Sequence, residues 1–293
     1  MTESTKADKT SWGIMILLTI IWGFSFILIK KSLVAFSPTQ LASLRLAISS
    51  LTFSPLVYVY RKEIKWSDWK KFLAVGLTGS GIPAFLFFFA QTRISSSMAG
   101  LLNSLTPIWT LIISILLFGQ PFHSKKMFGV LVGFAGASYL IFMGEHGIQG
   151  GAPLFASLVV FATLCYAMSV NMVQGFFGEV KPVIISSVSF FLLGPPAIIY
   201  LAFSDFPHVL VTHEAAPGAL MTVAMLSLFG TVLASILFYH LVQRTSAVFG
   251  STVTYLMPFS ALLLGFLDGE SVGFVHIAGM TTILLGVYIT KSS

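Results

Sequence analysis

Charge is what this chain has least of. Its 16 Lys and Arg and 10 Asp and Glu make up only 9 % of 293 residues, against roughly a quarter in an ordinary soluble domain. So few charges cannot cover a water-facing surface of this size. That excludes a soluble enzyme and a nucleic-acid-binding domain. The net charge of +6 does not restore either reading, because the positive residues cluster in short loops. Cysteine is nearly absent: the lone Cys165 excludes an internal disulfide and reads as a small core residue. No HxxxH pair and no Cys cluster offers metal ligands, and no cofactor is expected. There is no GxxxxGK[ST] loop and no soluble segment to house one, so ATP does not drive this protein directly. An intramembrane enzyme would need a motif such as HExxH or paired aspartates at membrane depth, and neither is present.

What is abundant is apolar. Hydrophobic residues make up 56 % of the chain, with 28 Phe, and the mean hydropathy is +0.92. A helix needs roughly 20 apolar residues to cross the hydrocarbon core. Such runs occupy about 12–30, 38–60, 70–92, 95–118, 124–143, 152–174, 181–203, 217–242, 246–267 and 272–290. The breaks carry turn or charge signals: Ser37-Pro38, Arg61-Lys62-Glu63, Gly119-Gln120-Pro121, Gly150-Gly151-Ala152-Pro153 and Lys181-Pro182. Barrel strands are about half this length and alternate apolar with polar, which these runs do not. The expected fold is an all-α integral membrane protein of ten transmembrane helices. The first run is followed by Lys30-Lys31 and not by a small-residue cleavage site, so it reads as a span and not a signal peptide.

Loop charge predicts orientation. With the N-terminus cytoplasmic, the inside collects Lys6, Lys9, Arg61, Lys62, Lys65, Lys70, Lys71, Lys125, Lys126, Lys181, Arg244 and Lys291. The outside collects Lys30, Lys31 and Arg93. Both termini are therefore expected to be cytoplasmic, in a multi-pass protein of the plasma (inner) membrane, with residues 1–10 disordered.

The halves resemble each other. Laying Leu86-Phe87 on Leu237-Phe238 brings Arg93 onto Arg244, Ser95 onto Ser246, Leu105 onto Leu256, Pro107 onto Pro258 and Leu111 onto Leu262. One residue of slippage then aligns Gly119 with Gly269 and Gly136 with Gly286. The unit is five spans, residues 11–146 and 147–293 of one membrane domain. An odd number makes the halves enter the membrane from opposite sides. Inverted repeats of this kind belong to secondary transporters working by alternating access; channels and membrane enzymes need no such symmetry.

The residues also resemble a known family. Ile21-Trp22-Gly23-Phe24-Ser25-Phe26, then Lys30, Pro38 and Arg45, is similar to the opening of the EamA family of the drug/metabolite transporter superfamily. Pro107 followed by Gly119 before a basic turn, echoed by Pro258, Gly269 and Glu270, resembles the same family. The resemblance covers essentially the whole chain. It implies ten helices around a central cavity and export of amino acids or small metabolites through the inner membrane. Members often carry Glu at the ends of both the fourth and ninth spans; here Gln120 takes the first place.

Polar residues inside a span cost free energy in lipid and so are candidates for function. Arg45 either anchors a substrate carboxylate or snorkels to the outer interface. Trp22 and Phe26 lie four apart on one helical face with Ser25 beside them, forming either a cavity wall or ordinary packing. Asn103, Trp109 and Tyr255 flank the two mid-span prolines, and Tyr166 and Ser169 share a face of the sixth span. Asn103 and Thr106 contact substrate or satisfy carbonyls freed by Pro107. Pro107 and Pro258 each remove a helical hydrogen bond and serve as hinges or static kinks. Intramembrane proton coupling would fall to His240 or Glu270, since no acid lies deep in a run. Facilitated transport of a small zwitterion or organic acid, with a neutral or aromatic amino acid as the specific expectation, comes first, with a proton-coupled antiporter or a small-molecule channel as rivals. The expected partners are a small-molecule substrate and membrane lipid, not nucleic acid, and a monomer is compatible with the sequence.

Overall fold

The structure, a computed structural model, describes residues 8–119, 124–143, 152–269 and 273–291. Among these the chain is helical apart from short turns, with no strand. Each apolar run falls on helix. The helical stretches are α1 Lys9–Ser32, α2 Pro38–Val59, α3 Trp66–Ala90, α4 Ser96–Phe118 and α5 Ser124–Met143. They continue with α6 Ala152–Phe176, α7 Pro182–Phe203, α8 Ala216–Arg244, α9 (Ala247–Ser251 and Val253–Leu267) and α10 Phe274–Lys291. A short helix, Phe206–Thr212, precedes α8. Among the described residues seven stretches are long and apolar enough to cross a membrane, α1 to α4 and α6 to α8. The protein is a multi-pass, all-helical membrane protein.

Caps explain where helices start. Asp8 accepts from the Ser11 amide at 2.9 Å and starts α1. Ser37 and Gln40 form a reciprocal capping box at α2, with Pro38 in the first turn where its missing N–H is no loss. Ser95 and Ser246 cap α4 and α9 by accepting from the amides of Met98 and Phe249. Gly119 and Gly269 follow α4 and α9 with φ of 67° and 86°, a left-handed conformation that glycine adopts without strain.

Three departures from regular α-helix place the site. Within α3, Leu77–Gly81 is a π-helical turn, in which the Ile82 amide reaches back to the Leu77 carbonyl. Within α8, Leu228–Leu233 is a second. Each inserts a residue and leaves backbone groups free to bond elsewhere. In α4 the helix breaks between Asn103 and Thr106, so Pro107 stands in the first turn of a new segment and forfeits no bond. The corresponding break in α9 falls at Thr252, ahead of Pro258. The side chain of Pro258 lies outside the described residues.

Packing is two-sided. α2 runs along α7, and α5 along α10. α1 packs on α8 and α9, while α6 packs on α3 and α4. The main core gathers Phe26, Phe87, Leu101, Leu102, Leu105 and Ile108.

Candidate functional site

The helices that meet at the centre leave a cavity of about 110 Å³. Trp22, Ser25 and Phe26 reach it from α1, Arg45 from α2, Asn103 from α4, and Tyr166 and Ser169 from α6. Seven predicted binding residues, spread over four helices, are thus brought together. Trp109 and Tyr255 are not: Trp109 packs against the main core, and Tyr255 is half-buried away from the lining. Pro107 is buried beneath the break in α4. His240 is half-buried on α8 and does not line the cavity. Glu270 and Gln120 lie outside the described residues.

Arg45 turns inward, not to the interface. Its Nε donates to Thr231 Oγ1 at 2.7 Å, and Thr231 belongs to the π-helical turn of α8. The same side chain belongs to the cavity lining, where the Tyr166 phenol is its electrostatic neighbour. The Trp22 indole donates to the Gly230 carbonyl of the same turn at 2.9 Å. The π turn therefore serves as acceptor for two side chains from α1 and α2, irregular backbone placed where it lines a cavity.

Asn103, in the same lining, is 3 % exposed. Its Nδ2 lies 3.6 Å from Met257 Sδ, a weak contact, and its Oδ1 has no partner among the described residues. A buried carboxamide oxygen without a donor costs about 1–3 kcal/mol, and this oxygen is itself closed off within the lining. Thr106 and Thr254 line the same space, but their hydroxyls are bonded to the carbonyls of Asn103 and Ser251, each at 2.8 Å. They close backbone bonds opened by the helix breaks. Asn171 donates to the carbonyls of Thr110 and Ala167 and fastens α6 to α4 outside the cavity.

Aromatic rings complete the wall. Phe26, Phe87 and Tyr166 form a run with centroid spacings of 5.9 and 6.1 Å, and Trp22 meets Phe238 edge-on at 5.1 Å. Ser169 donates to the Val75 carbonyl and rests against Gly79, while Ser25 rests against Gly230. Neither the glycines of the third span nor Thr231 is among the candidates read from the sequence above. Gly79, Ser80, Gly230 and Thr231 all line the cavity, because the π turns rotate them inward. The one signal that could have found them is the repeat itself: the register laying Leu86 on Leu237 also lays Gly79-Ser80 on Gly230-Thr231.

The sequence pattern of the EamA-like transporter family matches residues 11–142 and again 154–292. The chain belongs to that family. As an EamA-like protein it is a membrane transporter and not an enzyme. Among its relatives is an uncharacterized transporter of Archaeoglobus fulgidus, 26 % identical over 95 % of this chain and 97 % of the relative. The uncharacterized inner membrane transporter YedA of Escherichia coli K12 is 22 % identical over 95 % of this chain and 89 % of its own. A probable amino-acid metabolite efflux pump of the same strain is 27 % identical over 46 % of this chain and 43 % of its own. One solved crystal structure shares the fold with a TM-score of 0.65, at 16 % identity and 96 % coverage of both chains.

Proposed function

We propose that this EamA-like transporter is a facilitative carrier, an exporter of small amino acids or related zwitterions across the inner membrane by alternating access. The observation that carries the substrate class is that Arg45 and Asn103 both line one small cavity. The guanidinium donates only, and the Asn103 Oδ1, buried and without a donor, accepts only, once the lining opens to it. A carboxylate answers the first and an ammonium the second. Neither a plain organic acid nor an amine answers both. The aromatic wall and the volume of about 110 Å³ favour a compact, partly apolar side chain. The name of the amino-acid metabolite efflux pump among the relatives points the same way.

Ten spans in two inverted five-helix repeats, 11–146 and 147–293, supply the alternation in this reading. Several independent features support it. Exchanging each helix for the one five places along converts the α1 contacts with α8 and α9 into those of α6 with α3 and α4. The two π turns, the two Ser caps and the two left-handed glycines stand at matching places. Asp8–Arg244 and Glu63–Lys181 ion pairs share the Lys-rich end of the bundle, and Lys30, Lys31 and Asp268 share the other. This distribution supports cytoplasmic termini. Among the described residues the cavity lining holds no carboxylate or imidazole, which favours facilitation over proton coupling.

The test is ligand-dependent stabilisation of the purified protein with pairs that differ only in the amine, such as an α-amino acid and its des-amino acid. Stabilisation by the amino acid alone, followed by saturable counterflow in liposomes that ignores a pH gradient, supports the proposal. Proton movement with the substrate supports the antiporter instead, and non-saturating flux the channel. Equal stabilisation by both partners refutes the role given to Asn103.

A further inference from the structure

A second opening lies away from the central cavity, between α2, α3 and α7, with a volume of about 310 Å³. Its floor is buried and apolar, made by Leu46, Leu193 and Ala197. Its rim carries Leu77, Ile82 and Pro196, all exposed on the outer surface of the helix bundle. In a multi-pass membrane protein that surface faces lipid. The crevice is graded along its length. Hydroxyls occupy one end only: Thr39, Ser43 one turn below it, and Tyr200, whose phenol donates to Thr39 Oγ1 at 2.8 Å and ties α7 to α2. From there Thr39 to Leu46 descends roughly 10 Å along α2, taking 1.5 Å per residue. A leaflet's hydrocarbon is about 15 Å deep, half of the bilayer core. A tyrosine and a threonine at the head and aliphatic carbons below match the polarity profile from interface to hydrocarbon.

We propose that this crevice is a binding site for one acyl chain of a membrane lipid, in the leaflet on the side of Thr39 and Tyr200. The opening is too apolar for a zwitterion and faces the wrong solvent for a water-soluble ligand. An empty apolar space of this size beside fluid acyl chains loses the dispersion contacts that a chain restores. The site also touches the transport path. Leu77 and Gly81 line the crevice at the two ends of the π turn of α3, and Gly79 and Ser80 of the same turn line the central cavity. An acyl chain in the crevice thus packs on the back of a cavity wall. This site depends neither on the substrate nor on the orientation of the termini.

The experiment is photo-crosslinking of the full chain in liposomes of phosphatidylglycerol and phosphatidylethanolamine, doped with a phospholipid carrying a diazirine in mid-chain. Cross-linked peptides are mapped by mass spectrometry, with no transport substrate present. The expected result is labelling of the segments 77–85 and 193–200 severalfold above that of the exposed surface around Leu116 and Leu117. Ala197→Phe fills the floor and should abolish the excess while leaving the label at Leu116 and Leu117 unchanged. Ile82→Trp, at the exposed rim, is a second plug that spares the buried floor, and should do the same. Even labelling around the bundle in the unmodified protein overturns the proposal. So does an excess that survives both plugs, or replacement of lipid adducts by protein–protein adducts, which would make a second copy of the chain the occupant.

Discussion

The hydroxyl of Ser169 sits in the notch left by Gly79, so close that a Cβ on Gly79 would lie 2.5 Å from Ser169 Oγ and 3.0 Å from the Tyr239 hydroxyl. Ser25 sits in the same way against Gly230, where a Cβ would lie 2.8 Å from Ser25 Oγ. Each serine comes from the first helix of one half and each glycine from the π turn of the other half's third helix. The two halves are keyed into one another at the cavity by small residues, as membrane helices pack when their backbones approach closely.

Gly79→Ala should therefore destabilise the protein by about 1–3 kcal/mol, the usual range for overpacking, and Gly230→Ala by less, because the Ser25 hydroxyl and the Leu226 methyl it meets can swing aside. Ser169→Ala should recover part of the loss in the Gly79→Ala background, because it removes the nearer clashing atom. Gly218→Ala is the control: nothing lies within 4 Å of its added Cβ, and in a helix the change is neutral or stabilising by up to about 1 kcal/mol. Thermal unfolding in detergent measures all of these. Equal behaviour of positions 79 and 218 would remove the keying argument.

Arg45 should be judged by affinity. A hydrogen bond to a charged group is worth about 1.5–3 kcal/mol, so Arg45→Leu should weaken substrate binding by roughly tenfold to a hundredfold, at 1.4 kcal/mol per tenfold. Arg45→Lys keeps the charge but loses the fork and the Nε bond to Thr231, and should fall between. Thr231→Val, which removes only the support, should cost less than either. Calorimetric or stabilisation titrations separate the series; an Arg45→Lys variant that binds as the original does would reduce Arg45 to a point charge.

Much of the fold was legible in the sequence. Run length and the absence of charge placed the helices, because lipid forbids unpaired backbone and so leaves few alternatives. Seven of the nine candidate binding residues converge on the cavity: the polar ones because a polar side chain inside an apolar run favours the interior, and Trp22 and Phe26 because they share one helical face beside Ser25. The direction of Arg45 was not legible, since a long side chain at that depth can reach either the interface or the interior. Nor was the exclusion of Tyr255 and Trp109, both aromatic neighbours of mid-span prolines. Their facing is set by breaks at Thr252 and at Asn103–Leu105, each of which rotates the helical segment after it. Thr231 and Gly230 were hidden for the same reason, because a π turn shifts the helical phase and no simple periodicity predicts it.

Asp8 offers a pH test at the Lys-rich end. The Ser11 side chain and amide, and more weakly the Arg244 guanidinium, hold its carboxyl down from 3.8 to about 2. The folded value is depressed, so the contribution to stability is fully present above the unfolded value. It is lost as pH falls from about 4 through about 2. Titration of this carboxyl by isotope-edited NMR or infrared spectroscopy should give a midpoint near the folded value. Ser11→Ala should raise it more than Arg244→Gln does, and Asp8→Asn should keep the cap while abolishing the titration. A larger shift from Arg244→Gln would make the ion pair, and not the cap, the main cause.

At the opposite end, Asp268 takes both lysines that close α1, Lys30 at 3.3 Å and Lys31 at 3.2 Å. Slight burial pushes its carboxyl up, but the hydrogen bonds and charges of Lys31 and Lys30 outweigh that and hold it below the ordinary range. Next to Lys30 in the chain, Ile29 lines the cavity and is 3 % exposed. If these pairs hold that end shut, Asp268→Asn should open a path to position 29. In a Cys165→Ala background carrying Ile29→Cys, Asp268→Asn should speed labelling by a membrane-impermeant maleimide severalfold, and only from the Asp268 face. High salt should reproduce part of the effect, since these pairs are partly exposed and screened within about 3 Å at 1 M ionic strength. Acid should not reproduce it near neutrality. A carboxylate held below its ordinary value keeps its charge until the pH falls through that depressed value, so the pairs persist below pH 3.8. A labelling rate indifferent to Asp268→Asn would assign the closure to the apolar packing of α1 on α9, where Gly23 lies against Ser260, and leave the three charges a surface cluster.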